Sequence, residues 1–292
     1  MPASLAALAP AKVNLTLRIL GRRADGYHEL ESLVAFAPCG DHLTLEPGPA
    51  LELAVSGPTA GQSGPLADNL VLRAAGALRA RIPGITLGRF ALVKELPAGA
   101  GLGGGSADAA AALRLLAKAN ALSLEDARIL AVARETGADV PVCLDPQPRM
   151  MRGIGEILSA PIALPALGIV IVHPGIAMPT PPVFKALGLQ AGERCTAPAA
   201  SGPVPTDSAS LLHWLATERN DLEPPAIRIA PAIVDVVHAI AALPGCRLAR
   251  MSGSGSACFG LFDTEPAAMA AMPRLTAAHP GWWVRASRIG RA

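Results

Sequence analysis

From Gly99 to Gly105 the chain places five glycines in seven positions, and Ser106 and an alanine-rich run follow directly. Residues without side chains let a ligand approach the backbone, and the start of a helix offers unpaired N–H groups and a positive dipole end. The loop Gly99-Ala100-Gly101-Leu102-Gly103-Gly104-Gly105-Ser106 therefore suits an anion, phosphate above all, and Ser106 adds a hydroxyl for a phosphate oxygen or a magnesium ion. It is not a Walker loop, because no lysine precedes Ser106. Gly99, Gly101 and Gly104 satisfy GxGxxG by letter, but the acidic residue that a dinucleotide site needs falls on Glu125 or Asp126, at a helix start. A packed glycine hinge is the plain alternative. Ordering five glycines is costly, and their clustering at a helix start favours the anion.

Two charged residues far apart in sequence have types suited to phosphoryl transfer. Asp139, in GADVP, stands between a helix stop and Pro141, and reads either as a turn aspartate or as a general base. Lys12 opens the first strand after Pro10, and reads either as a solvated surface lysine or as the partner of such a base. If the two meet, the carboxylate can take a proton from a hydroxyl while the ammonium orients it and stabilises developing negative charge. Their spacing leaves both readings open. Tyr27, the single tyrosine, and His28 follow Asp25-Gly26 as a polar-aromatic pair or as a plain turn. MSGSGSAC, Met251 to Cys258, is a second Gly/Ser run, able to bind an anion or simply to connect two strands.

The elements that must hold these residues follow from periodicity and punctuation. Alternation predicts a strand over Lys12–Leu20, a turn over GRRADGYHEL and another strand over Asp41–Glu46; the Gly, Pro and Ser content of Glu46–Pro65 predicts loop. DNLVLRAAGALRAR reads as a helix capped by Asp68 or Asn69, Phe90–Leu96 as a strand feeding the glycine loop, and Ala107–Lys118 as the helix after it. Ser123 with Asp126 resembles a capping box ahead of LEDARILAVARE, a helix that Gly137 stops. Beyond a Pro-containing boundary at 157–165, LGIVIVHPG is a buried strand and TPPVFKAL a short helix opened by Thr180. Glu193–Pro205 reads as a surface loop. Helices near Ser208–Thr217 and Pro231–Leu243, a strand, the SGSGS loop, a strand over Ala257–Phe262, a helix and the strand WWVRASRI complete an α+β pattern.

Composition bounds the function. A chain of 292 residues, 51% hydrophobic and 16% charged, buries a large core and exceeds one usual domain, so two are expected, divided as 1–160 and 161–292. Aromatics at 3% leave the core to aliphatic side chains. A net charge of +2 without a basic stripe argues against nucleic acid. Five widely spaced cysteines, without CxxC, read as free thiols in a reducing cytoplasm. MPASLAALAP lacks the features of an export signal, and Pro161 and Pro165 break the apolar stretch 157–172, so no membrane association is expected.

Taken in order, PAKVNLTLRILGRRADGYHELES, LPAGAGLGGGSADAA, GADVP, GIGEIL, HPG with PTPPVF, NDLE and RMSGSGSACF resemble the 4-diphosphocytidyl-2-C-methyl-D-erythritol kinases. These belong to the galactokinase, homoserine kinase, mevalonate kinase and phosphomevalonate kinase superfamily. The resemblance implies ATP- and magnesium-dependent phosphorylation of the 2-hydroxyl of the erythritol unit by a monomer or weak homodimer. It implies an α+β two-domain kinase fold, with an N-terminal domain like domain 2 of ribosomal protein S5 and a ferredoxin-like C-terminal domain. It makes Asp139 the base and Lys12 its partner, with Asn14 helping to hold the substrate or the catalytic pair. Tyr27 and His28 would read the cytosine, with Phe184 stacking and Thr180 adding a polar contact. Lys94, Asn69 and Leu70 would lie near the adenine, and Pro97, Ala98 and Gly99–Ser106 around the phosphates; the metal ligands are left unassigned. Val34, where many members carry phenylalanine, implies a roomier cytosine pocket, and Pro146, Pro148 and Arg149 stiffen a segment that often holds glycine.

Overall fold

The computed structural model describes residues 4–195 and 202–291. In chain order the elements are β1 (Leu5–Asn14), β2 (Arg18–Arg22), β3 (His28–Gly48), β4 (Leu51–Ser56), α1 (Leu70–Arg81), β5 (Leu87–Val93), α2 (Gly104–Ala119), α3 (Ala127–Thr136) and α4 (Val140–Leu144). There follow β6 (Arg149–Gly153), β7 (Ile157–Leu158), β8 (Leu167–His173), α5 (Thr180–Lys185), α6 (Ser208–Thr217), α7 (Glu223–Ile229), α8 (Ala232–Ala241), β9 (Leu248–Met251), β10 (Cys258–Phe262), α9 (Glu265–Ala278) and β11 (Trp283–Ile289). Two compact units interleave along the chain: the first is the chain up to Lys12, Gly40–Ala98 and Gly103–Pro146, and the second is Val13–Cys39, Gly99–Leu102 and the chain from Gln147 onward.

In the first unit, β5 pairs in parallel with β4 and antiparallel with the 42–48 part of β3. The helices α1, α3 and α4 pack around α2. That helix reads GGSADAAAALRLLAKA, and its alanines from Ala109 to Ala112 are fully buried. Alanine is the strongest helix former, and its small side chain lets neighbouring helices approach a helix that is apolar nearly all round. The side chain of Asn69 accepts from the Val71 N–H and so caps α1, which decides between the two expected caps.

In the second unit, β3 pairs with β2 through 28–31 and with β6 through 30–34. Farther along the chain a four-stranded antiparallel sheet has the order β11-β8-β10-β9. Helices connect β8 to β9 and β10 to β11, so the chain order βαββαβ with this strand order is the ferredoxin-like arrangement expected from the sequence. Central β8, LGIVIVH, is buried along its whole length, as its unbroken apolar run between prolines requires. Val170, Val172, Ile233, Val236, Ile240, Phe262, Leu275 and Val284 form much of the core.

The structure corrects several expectations. The strand expected over Lys12–Leu20 is two strands, because near Thr16 side chains take over the pairing: Thr16 Oγ1 accepts from the Leu33 N–H, and Ser32 Oγ donates to the Thr16 carbonyl. The turn and short strand expected next are a tight β2–β3 turn and one 21-residue strand. Part of the loop expected over Glu46–Pro65 is β4, whose alternating burial is the signature of a half-buried strand. The expected capping box starts α3 too early; Asp126 caps it at 2.8 Å from the Arg128 N–H. Helices α4 and α7 were not expected; each carries proline in its first turn, Pro141 in α4 and Pro224 and Pro225 in α7, where proline is tolerated. Of the loop expected over Glu193–Pro205, residues 196–201 lie outside the described residues. Among the described residues no helix is long and apolar enough to cross a membrane.

Phe262 is fully buried in this core. Phe262→Ala is expected to cost about 3–5 kcal/mol of stability, read from the shift of a urea denaturation curve; an unchanged curve would contradict this placement.

Candidate active site

Three glycines of the loop, Gly99, Gly101 and Gly103, have φ of +63°, +75° and +66°, which side-chain-bearing residues rarely adopt. Ala100 and Leu102 between them are buried and anchor the loop. Left-handed residues alternating with ordinary ones make the backbone pattern of an anion nest. Within the second unit three of the loop's carbonyls are engaged: Gly99 accepts from the Met178 N–H at 3.1 Å, Ala100 from the Ala257 N–H at 2.9 Å, and Gly101 from Ser252 Oγ at 3.2 Å. In a trans peptide the N–H points opposite to the preceding carbonyl. The N–H groups of Ala100, Gly101 and Leu102 are therefore turned away from these partners, as phosphate binding requires.

The loop's remaining residues belong to the first unit. Gly103 precedes α2, and a Cβ there would stand 3.3 Å from the Lys12 side chain; a Cβ on Gly105 would stand 3.5 Å from Leu70. The start of α2, with its unpaired N–H groups, thus lies beside both Lys12 and the start of α1 that Asn69 caps. Pro97 is buried, and the Ala98 N–H donates to Gln62 Oε1 at 3.1 Å. A Cβ on Gly137 would be 3.8 Å from Ser106 Oγ, which sets the end of α3 beside the helix start.

Lys12 and Asp139 meet. Lys12 Nζ donates to Asp139 Oδ2 at 2.8 Å, with the lysine side chain 6% exposed and the aspartate 33%. A buried ammonium facing a partly open carboxylate can act on an incoming hydroxyl from one side only. Lys12 lies near the end of β1, and Asp139 immediately precedes α4. Arg114 of α2 braces both supports, donating to the carbonyl of Leu8 in β1 at 2.5 Å and to that of Cys143 in α4 at 2.7 Å. Burial pushes the Arg114 pKa down. The two carbonyls compensate this desolvation with good hydrogen bonds.

Lys94 sits in a buried triad that sequence reasoning missed. Its ammonium donates to Asp41 Oδ2 and, at 2.7 Å, to Asp108 Oδ2. Asp41 Oδ1 also accepts from the N–H groups of Glu95 at 2.6 Å and Leu96 at 2.8 Å. One carboxylate thus grips the chain just before the glycine loop, and the other belongs to the helix just after it. Burial pushes the Asp108 carboxyl up to about 7, with Lys94 opposing and the charge of Asp41 adding to the rise. Asp41, Lys94 and Asp108 are too far apart in sequence to signal a cluster. The available hint was that only four lysines occur, two of them at the edges of motifs.

In the second unit the His28 and Phe184 rings lie 5.0 Å apart at 46°. His28 Nε2 is buried without a partner among the described residues, so it can exchange a hydrogen bond with a ligand. Tyr27 is 61% exposed, its backbone N–H fixed by Asp25 Oδ1 at 3.1 Å. Thr180 Oγ1 lies 3.0 Å from Ser254 Oγ, which joins it to the late Gly/Ser loop rather than to His28. Asn14 is buried; its N–H donates to Ser252 Oγ at 3.1 Å and Nδ2 to Ser32 Oγ at 2.7 Å, while Oδ1 lacks a partner among the described residues. The two departures from the family pattern meet: Val34, fully buried, pairs in register with Arg149.

Burial, with a smaller contribution from the Arg22 charge, lowers the His28 pKa from 6.5. His28 therefore stays neutral on folding to below that value. The unfolded chain binds the extra proton first, so His28 withdraws stability as pH falls through 6.5. An NMR titration should place its midpoint below 6.5, and Arg22→Gln should raise it only part of the way; a midpoint at or above 6.5 would contradict the placement.

Comparison with known proteins gives concordant matches. The family model described as GHMP kinases N terminal domain matches residues 69–145, and the model described as GHMP kinases C terminal matches residues 207–280. The 4-diphosphocytidyl-2-C-methyl-D-erythritol kinase of Methylobacterium radiotolerans is 60% identical over 282 residues, covering 96% of this chain and 97% of that one. The protein of the same name from Rhodopseudomonas palustris strain BisB5 is 53% identical over 292 residues, covering 98% and 99%. The crystal structure of a 4-(cytidine 5'-diphospho)-2C-methyl-D-erythritol kinase superposes with a TM-score of 0.74 at 36% identity, covering 99% of this chain and 100% of that one. A homoserine kinase from Cytophaga hutchinsonii, 20% identical with a TM-score of 0.68 and covering 98% and 95%, shares the fold. The α+β architecture is that of a two-domain kinase of this group, as expected. With identity of this order over nearly its whole length, the chain belongs to the 4-diphosphocytidyl-2-C-methyl-D-erythritol kinase family of the GHMP kinases.

Proposed function

We propose that this chain transfers the γ-phosphoryl group of ATP to the 2-hydroxyl of 4-diphosphocytidyl-2-C-methyl-D-erythritol, in the non-mevalonate route to isoprenoid precursors. The observation that carries the reading is the 2.8 Å contact between Lys12 and Asp139, with Asp139 the more open of the two. Asp139 accepts the proton of the acceptor hydroxyl, and Lys12 holds the carboxylate and stabilises the oxygen as negative charge develops. Backbone N–H groups of Gly99–Ser106 hold the phosphates, and Pro97 and Ala98 shape the entry to the loop. Asn69 and Leu70 lie toward the adenine. Lys94 serves that end through its triad, with its ammonium already committed to two carboxylates.

Tyr27 and His28 recognise the cytosine, with Phe184 as a stacking surface; neutral His28 suits a neutral pyrimidine edge, and Thr180 adds a polar contact. Asn14, whose Oδ1 lacks a partner among the described residues, helps hold the acceptor or the catalytic pair. The hydroxyl of Ser106 fits magnesium, which takes few protein ligands and keeps phosphate and water oxygens, and Ser106 would contribute it when the ion is bound. Bound magnesium would neutralise phosphate charge during transfer.

The remaining assignments follow from this reading. Residues 1–160 form the nucleotide and catalytic domain and 161–292 the second domain, supported by family matches that fall on either side of that division. A small cytidine-diphosphate acceptor needs neither nucleic acid nor membrane, and five free cysteines suit a cytoplasmic protein, a monomer or weak homodimer.

ADP release measured with 4-diphosphocytidyl-2-C-methyl-D-erythritol, Mg-ATP and folded protein should depend on the acceptor, with homoserine and mevalonate inactive; release without that dependence would overturn the reading. Asp139→Ala should lower kcat by about 10²–10⁴-fold and leave ATP affinity nearly unchanged, because the carboxylate acts on the acceptor. Full turnover in that variant would remove Asp139 from the chemistry.

A further inference from the structure

The segment NDLE, Asn220–Glu223, carries no group assigned to the reaction, yet its polar atoms are committed to the loop after β9. Asn220 is 4% exposed. Its Nδ2 has two N–H groups, and these go to the carbonyls of Met251 at 2.9 Å and Gly253 at 2.8 Å; its Oδ1 accepts from the Leu222 N–H at 3.0 Å. Three residues on, Glu223 Oε2 accepts from the Met251 N–H at 2.8 Å. The two side chains together fix both polar groups of the Met251 backbone.

The loop held in this way is the one that carries the glycine loop. Ser252 Oγ donates to the Gly101 carbonyl, the Ala257 N–H donates to the Ala100 carbonyl, and the Asn14 N–H donates to Ser252 Oγ. Contact is so close that a Cβ on Gly101 would stand 2.5 Å from the Ser252 carbonyl oxygen and 2.9 Å from that of Gly255. At its other edge the NDLE segment is tied to the chain after β1: the Asp221 N–H donates to the Leu17 carbonyl, and Asp221 Oδ2 accepts from the Ile19 N–H, each at 2.8 Å. A displacement of Met251–Gly253 would move the partners that turn the Ala100, Gly101 and Leu102 N–H groups outward.

We propose that Asn220, assisted by Glu223, is a positioning residue for the nucleotide phosphates, acting through Met251–Gly255 on Gly99–Leu102. Neither residue touches the nucleotide. The proposal rests on the reading of the glycine loop as the phosphate site. At the cytosine end Tyr27, His28 and Phe184 belong to other segments, and Thr180 meets this loop at Ser254, beyond the Met251 and Gly253 carbonyls that Asn220 holds.

Calorimetric titration of the full chain with a non-hydrolysable ATP analogue plus magnesium, and separately with CDP, tests it. Loss of one buried hydrogen-bonding partner predicts a roughly 5–30-fold weaker affinity for the analogue in Asn220→Ala and Glu223→Ala, with CDP affinity within twofold of wild type. Glu223→Gln, which keeps an acceptor oxygen for the Met251 N–H, should restore most of the loss. If Asn220→Ala does not fold, the Glu223 pair decides. Analogue affinity within twofold of wild type in the folded alanine variants, or equal loss of the analogue and CDP, would overturn the proposal while leaving the phosphate-site reading intact. Absence of analogue binding by the wild-type chain would overturn both.

Discussion

A buried ammonium is tolerable only beside an opposite charge, and the meeting of Lys12 with Asp139 is the constraint on which the rest of the first unit depends. Removing Asp139 would leave the buried Lys12 ammonium without its opposite charge, which is destabilising. The supports are arranged accordingly. β1 delivers the lysine, a proline-opened helix follows the aspartate, and Arg114 fixes both elements through their carbonyls. Gly103 leaves room for the lysine stem where any side chain would crowd it. Asp139 is the more exposed partner, so the ammonium is the buried end of the pair and the carboxylate its open end.

The glycine loop obeys a complementary constraint. The carbonyls of Gly99, Ala100 and Gly101 are satisfied by protein, which turns the N–H groups of the same peptides the other way, and positive φ at Gly99, Gly101 and Gly103 makes that arrangement possible in so few positions. In the second unit the Ser252 loop holds Gly101 through its carbonyl, and in the first unit the Lys94 triad ties the chain at Glu95 to helix α2. The orientation of the loop's backbone is thus set by side chains distant in sequence.

What the sequence made legible follows the range of the interactions. The glycine loop, the buried strand LGIVIVH and the helix Ser208–Thr217 were readable because composition, periodicity and capping act over a few residues. Lys12 and Asp139 were readable as chemical types, but their meeting was not, since 127 positions separate them. The Asp41–Lys94–Asp108 triad was missed for the same reason. The break after Asn14 was missed because Thr16 and Ser32 act across strands, and α4 and α7 because a proline looks alike as a breaker and as a first-turn residue. The interleaved units likewise reflect long-range pairing, with β3 contributing residues to both.

The central claim is that Lys12 and Asp139 act as one catalytic unit on the acceptor hydroxyl, and a double-mutant cycle on kcat tests it most directly. With Lys12→Met, Asp139→Asn and the double variant, all at saturating ATP and acceptor, the double variant should be no more than about threefold slower than the slower single variant, as expected of residues that act as a unit. Losses that multiply independently would contradict the account.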